Sequence, residues 1–172
     1  MIGRLLVSAF AFAAVLAAAS AADAAPPVDT FTGTCEYDGT LTFHDPIGAV
    51  PEPNRLRWFV TGTCTGSVNG RYVVDAPAKW HASAEGLMSC TEGLEEGPGF
   101  MLIHGARIDF TFQEARVATG AKFRFAGDAG GSLEGIGSTD DDVVWATDRC
   151  LAEGGSLKRV HVFAQVSGSI SG

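Results

Sequence analysis

Histidines are the first side chains to consider for acid–base chemistry, because an imidazole changes charge near neutral pH. Four are scattered along the chain, at positions 44, 81, 104 and 161. Strand alternation points His81 and His161 toward solvent, whereas His104 shares its predicted face with Phe100 and is expected to lie partly inside. A hydrogen-bonded core histidine is the simpler interpretation of His104. A small hydrolase or lyase with a site around His104 is the alternative.

Carboxylates and glycine-rich segments carry weaker signals. A glycosidase needs two carboxyl groups that face each other, and nothing in the sequence pairs Asp109, Glu114 or Glu134 with a partner. The run Asp140–Asp142 has the oxygen ligands that Ca²⁺ prefers, but it lacks the glycine-containing loop of a calcium site and fits a helix start. The glycines of residues 127–137 indicate a turn, because the acidic residues among them would repel a phosphate. No metal or cofactor is predicted, and without a G-x-S-x-G motif a non-enzyme is favoured over an enzyme.

The N-terminus predicts that the chain is exported. Arg4 precedes an apolar run that ends in the A-x-A cleavage site Ala22–Ala24. Residues 1–24 are therefore predicted to be a signal peptide, and residues 25–172 a single domain. Because Arg4 and Asp23 cancel, this domain keeps the net charge of −8 of the whole chain. We expect a secreted protein with no membrane contact after cleavage, and its acidity argues against a nucleic-acid partner.

Cysteines in an exported chain indicate disulfides. All four, Cys35, Cys64, Cys90 and Cys150, follow the predicted signal peptide, and an even number predicts two bridges. Strand alternation turns Cys35 and Cys64 inward, which favours a Cys35–Cys64 and a Cys90–Cys150 bridge among the three pairings that are open. Zinc is disfavoured because no C-x-x-C pair is present.

Apolar residues recur at every second position over short segments between turn signals, the pattern of half-buried strands. The clearest case places Ile108, Phe110 and Phe112 on one face, and Asn69–Gly70 is a two-residue hairpin signal. We predict an all-β fold, an antiparallel barrel or sandwich of about eight to ten strands. The predicted inward rows are rich in large aromatic residues, which favours a filled interior over a roomy ligand cup.

One segment near the C-terminus departs from strand alternation. Ser138–Asp142 has the hydroxyl and carboxylate side chains of a helix start, and Gly154–Gly155 is typical of a helix end. A single short helix held to the barrel by Cys150 is expected. The proline-rich residues 45–54 and residues 92–99 are predicted to be irregular loops.

Small residues and cysteines also carry a family resemblance. Gly33–Cys35 followed by Gly39–Phe43, with a later Cys150 and Gly154–Gly155 before a terminal strand, resembles a group of small secreted, β-rich, cysteine-containing proteins of Gram-positive bacteria. No activity is assigned to that group. The resemblance therefore implies export and a β-rich fold, but no catalytic or ligand-binding residue.

Three functions are compatible with these features. The favoured one is a secreted, non-enzymatic binding module that meets an unknown small molecule or extracellular protein at a barrel mouth or a loop surface. The second is the hydrolase or lyase with a site around His104. The third is an interaction or inhibitor protein that presents the loop at residues 45–54 as a rigid edge.

Overall fold

Eight antiparallel strands close into a barrel in the computed structural model, which describes residues 27–117, 120–139 and 147–172. Each strand pairs with its neighbours in sequence, and the last strand closes the barrel against the first. The all-β barrel is thus confirmed, whereas the predicted signal peptide lies outside the described residues. The strands are β1 (Thr30–Ile47), β2 (Glu52–Val68), β3 (Arg71–Met88), β4 (Glu92–Ile103), β5 (Ala106–Val117), β6 (Gly120–Gly127), β7 (Gly130–Thr139) and β8 (Leu157–Ser171).

The two ends of the barrel differ in their connections. At the hairpin end, two-residue turns at 69–70, 104–105 and 128–129 join β2 to β3, β4 to β5 and β6 to β7. Asn69 and Gly70 have positive φ values of 51° and 77°, as a tight hairpin turn requires. The opposite end, called the loop end below, carries the longer connections 48–51, 89–91 and 152–156.

Aromatic rings fill the barrel interior. The ring centroids of Trp58 and Trp80 lie 5.3 Å apart near the middle of this core. Both indoles pack against rings from β5 and β6, with centroid distances between 4.6 and 6.0 Å. The interior is therefore a packed hydrophobic core, as the large inward residues predict. Its phenylalanines are Phe31, Phe43, Phe110, Phe112, Phe123 and Phe125.

Both disulfides follow the predicted pairing. Cys35 and Cys64 lie directly opposite each other in the β1–β2 register, with both side chains inside the barrel. Cys90, in the turn at 89–91, is bonded to Cys150 in a short helix, α1, at residues 147–151. The Cys90 amide also donates to the carbonyl of Gly48 at 2.8 Å. The second disulfide therefore fastens α1 to two connections of the loop end.

Both predicted loops are wrong over most of their length. β1 continues to Ile47 and β2 begins at Glu52, so only residues 48–51 of the segment 45–54 form a connection. The Asn54 amide donates to the Asp45 carbonyl at 2.8 Å and extends this hairpin. Residues 92–99 belong to β4, although they contain several glycines. Gly97 lies so close to the backbone of β3 that a Cβ atom would not fit, so here glycine serves strand packing rather than a loop.

The short helix near the C-terminus is confirmed as α1, but its predicted start is wrong. Ser138 and Thr139 end strand β7, and Asp140–Asp142 lie outside the described residues. Gly154 follows α1 with a φ of 73°, and the Gly155 amide donates to the Ala152 carbonyl at 2.8 Å. Among the described residues, no helix has the length and apolar character needed to cross a membrane.

Candidate functional site

Three charged side chains lie inside the barrel near its loop end. Glu95 on β4 and Glu114 on β5 are directly opposite each other in the strand register, and each is only 2% exposed. Arg116 follows on the same inward face of β5 and is 8% exposed. Two carboxylates side by side would repel each other. The guanidinium of Arg116 offsets this repulsion, so the three residues form one unit, called the buried triad below.

Arg116 holds the triad together through several weak contacts. Its Nη2 atom lies 3.6 Å from Oε1 of Glu95, and its Nε atom lies 3.8 Å from Oε1 of Glu114. The guanidinium also donates to the carbonyls of Ser89 at 3.2 Å and Glu92 at 3.4 Å. Within the described residues, both side-chain oxygens of Glu95 are buried and have no hydrogen-bond partner. The same holds for Oε2 of Glu114. One cation thus serves two carboxyl groups.

Burial changes the protonation of both carboxyl groups. Removal from water and, to a smaller extent, the nearby charge of Glu95 raise the pKa of Glu114 to about 8, against the lowering effects of Arg116 and the Trp58 indole. Removal from water likewise raises the pKa of Glu95 to about 7, against the lowering effect of Arg116. Near neutral pH the triad therefore holds an additional proton and carries little net charge.

The space beside the triad is small. A cavity of about 20 Å³ lies between Trp58, Glu114, Arg116 and Phe123, and Thr147 of α1 also lines it. That volume suffices for about one water molecule, whereas small-molecule sites occupy roughly 300–1,000 Å³. The triad can bind and release protons, but the cavity beside it has no room for an organic substrate or ligand.

A larger open groove lies on the outer surface of β1 to β4 near the loop end. Its volume is about 610 Å³. Its lining includes the small residues Ser83, Gly97 and Pro98, and Glu85 and Glu96 are its only acidic lining residues among those described. The basic residues of its lining are His44, Arg55, Arg57 and Lys158.

Arg57 lies between Thr42 and Ser83 in the strand register, so no acid is directly beside it. Arg55, by contrast, lies opposite Glu85 and, after the hydrogen bond with His44, contributes to the lowered pKa of Asp45. Arg57 on β2 and Arg159 on β8 both lie beside Thr42 in the strand register, so the cationic surface continues across β1. Within the described part of the chain, no carboxylate forms an ion pair with Arg55, Arg57 or Arg159. The described residues thus place the guanidinium groups of Arg57 and Arg159 on either side of Thr42, with no ion pair to a described carboxylate, in a chain with 20 acidic and 12 basic residues.

A ladder of rings crosses the outer surface next to the groove. Phe59, His81 and Phe100 are successive cross-strand neighbours on β2, β3 and β4. The His81 ring stacks on Phe100 at 5.1 Å and meets Phe59 edge-on at 4.6 Å. Arg107 covers Phe100 at 4.0 Å and forms an ion pair with Asp109. The ladder holds the Phe59 ring in place, although the residue is still 54% exposed.

The expectation that His104 lies partly inside is wrong. His104 occupies the exposed turn between β4 and β5, with a φ of 49°, and its amide donates to the Pro77 carbonyl at 3.2 Å. Phe100 faces outward, while Met101 and Ile103 face the core. The structure therefore assigns His104 a place at the hairpin end, at the opposite end of the barrel from the buried triad.

The substitution His104→Asn is expected to leave the free energy of unfolding unchanged or to raise it by about 0.5 kcal/mol. Asparagine adopts a positive φ more readily than most residues and is preferred in two-residue hairpin turns. Urea unfolding of the two proteins measures the difference. A loss of more than about 1 kcal/mol would show that the imidazole makes a contact that the turn geometry does not explain.

Sequence reasoning missed the residues of both sites. Glu114 was considered only as half of a glycosidase pair, and Arg116 and Glu95 were not singled out. The arginines of the groove carry no motif. Among the described residues, no three His, Cys, Asp or Glu side chains come together as a metal site would need.

The fold defines the chain as a closed eight-stranded antiparallel barrel with a filled interior and a charged outer groove. No protein-family model, curated protein or solved structure matches it. Function therefore has to be argued from the geometry of the two sites.

Proposed function

We propose that the protein is a secreted, non-enzymatic binding module that holds an anionic ligand in the outer groove. The observation that carries this proposal is the pair of arginines Arg57, which lines the groove, and Arg159 beside it, which form no ion pair with an acid among the described residues. Unpaired guanidinium groups are ready donors for carboxylate, sulfate or phosphate oxygens.

The volumes favour the outer surface over the barrel mouth as the binding site. The cavity beside the buried triad measures about 20 Å³, and the outer groove about 610 Å³. The polar outward face of strands such as β1, with Thr32, Thr34 and Glu36, supports a protein that works in water.

The test compares a polyanion with its neutral counterpart. Dextran sulfate is expected to bind with an affinity that falls as salt is added, and neutral dextran is expected to bind at least tenfold more weakly. The double variant R57Q/R159Q should lose about tenfold or more of the affinity for dextran sulfate, because each arginine contributes charge-assisted hydrogen bonds. Isothermal titration calorimetry gives the dissociation constant of each of these complexes.

The matched control is the double variant R71Q/R124Q, which removes the same charge from two exposed positions outside the groove. Its affinity for dextran sulfate should stay within about twofold of the wild-type value. If both double variants lose affinity equally, binding follows the overall charge of the protein and the groove is not the site.

A further inference from the structure

The ring ladder and the arginines of the groove share one outer surface, and we infer that the anionic ligand is an acidic glycan, a chain of sugar rings that carry carboxylates. This inference rests on the proposed function and names the class of its ligand. Phe59 and Arg57 lie two residues apart on the same face of β2. Their side chains are therefore separated by about 7 Å along the strand, which matches a hexuronate ring and its own carboxylate.

Phe59 supplies a surface for the face of a sugar ring. More than half of the surface of Phe59 is exposed to solvent. The edge-on contact with His81 holds the ring in place without covering it. A pyranose presents a face of C–H groups that packs on an aromatic ring, whose face is electron-rich. Because neighbouring rings already fix Phe59, little side-chain entropy is lost when a ligand packs on it.

Polar groups for the hydroxyls and the carboxylate lie next to Phe59 and at the far end of the ring ladder. Arg57 and Ser83 lie on the loop-end side of Phe59, and Pro98 lines the same surface. At the far end of the ring ladder, Asp109 on β5 lies opposite Phe100 and accepts three hydrogen bonds from the Arg107 guanidinium, at 2.7–3.2 Å. Pairs of planar polar groups can bind two adjacent hydroxyls at once. The surface thus combines a ring contact, an unpaired cation and hydroxyl partners.

The same features disfavour two other polyanions. An extended peptide adds to a sheet through an exposed edge strand, and the closed barrel has no such edge. Single-stranded nucleic acid binds by stacking successive bases on successive rings, whereas His81 and Phe100 stack on each other and Arg107 covers Phe100.

The test measures the affinities of four probes for the full barrel: an oligogalacturonate, a neutral galacto-oligosaccharide of the same length, an oligoglutamate of the same charge, and oligo(dT). The oligogalacturonate is expected to bind roughly tenfold or more tightly than each of the other three. Phe59→Ala should reduce its affinity to that of oligoglutamate, and Arg57→Gln should reduce it to that of the neutral sugar. Phe59→Leu keeps the apolar volume without the ring and should behave as Phe59→Ala does.

The outcomes separate the two proposals. Equal affinities for oligogalacturonate and oligoglutamate, both unaffected by Phe59→Ala, would overturn the glycan assignment and leave the anion-binding function intact. Oligo(dT) bound as tightly as the glycan would replace the glycan with a nucleic acid. If neither anionic probe exceeds the neutral sugar, the proposed function itself fails. Thermal unfolding of each variant confirms that the exposed substitutions leave the barrel folded.

Discussion

Replacing Arg116 with methionine is expected to lower the free energy of unfolding by about 3–5 kcal/mol near pH 8. Arg116 is the only cation within ion-pair distance of the buried carboxyl groups of Glu95 and Glu114 among the described residues. Methionine fills part of the same space, but it lacks the guanidinium, which lies 5.7 Å from the Phe43 ring centroid, and it leaves the carboxylates uncompensated in a dry interior. Near pH 5 both carboxyl groups hold protons, so the loss should shrink. Urea unfolding at the two pH values measures the change.

The control for this prediction is Arg124→Met. Arg124 is an exposed residue of the neighbouring strand β6, and its replacement should change the free energy of unfolding by less than about 0.5 kcal/mol. If Arg116→Met costs the same at both pH values, the packing of the Arg116 side chain on Phe43 would explain its contribution. The ion pairs would then carry little of the stability.

The barrel itself could be predicted because strand alternation reports directly on burial. Ile108, Phe110 and Phe112 are all buried, as their spacing indicates. The same alternation turned Cys35 and Cys64 inward, where the strand register places them opposite each other. Closure of the barrel and the exact number of strands depend on contacts between distant segments. The sequence alone therefore could not distinguish a barrel from a sandwich.

His104 shows where strand alternation fails. Every residue from Phe100 to Ile103 is apolar, so the sequence cannot tell which of the two faces is inward. The structure buries Met101 and Ile103, and the strand ends before His104. The glycines of residues 92–99 misled in a similar way, because a close approach of two strands selects the same residue type as a loop.

The buried triad could be predicted in part. Glu114 and Arg116 continue the inward alternation that begins at Ile108, so two charged side chains in the core were readable from the sequence. Glu95 was not, because its segment was assigned to a loop and its pairing with Glu114 depends on the β4–β5 register. The groove could not be predicted for the same reason. Arg57 and Arg159 are distant in sequence, and only the strand register places both beside Thr42.

The stability of the wild-type barrel is expected to fall as the pH rises from about 5 to about 9, and Glu114→Gln is expected to reduce this fall. Burial raises the pKa of Glu114 from 4.5 to about 8. The folded state therefore keeps a proton that the unfolded state releases. This contribution is complete below pH 4.5, decreases as the pH rises and is lost above about pH 8. Each pH unit between these values costs about 1.4 kcal/mol for a fully buried group.

Glutamine at position 114 cannot ionise, so the variant keeps only the pH dependence of Glu95, whose pKa is raised to about 7. Above about pH 8 the variant should be more stable than the wild type, because Glu95 and Arg116 then form a neutral pair. Urea unfolding across this pH range gives both curves, and Glu134→Gln, the same change at an exposed position, should leave the slope unaltered. A wild-type stability that rises toward alkaline pH would contradict the prediction. Arg116 would then keep both carboxylates ionised in the folded state, and Glu114→Gln would weaken the barrel at every pH.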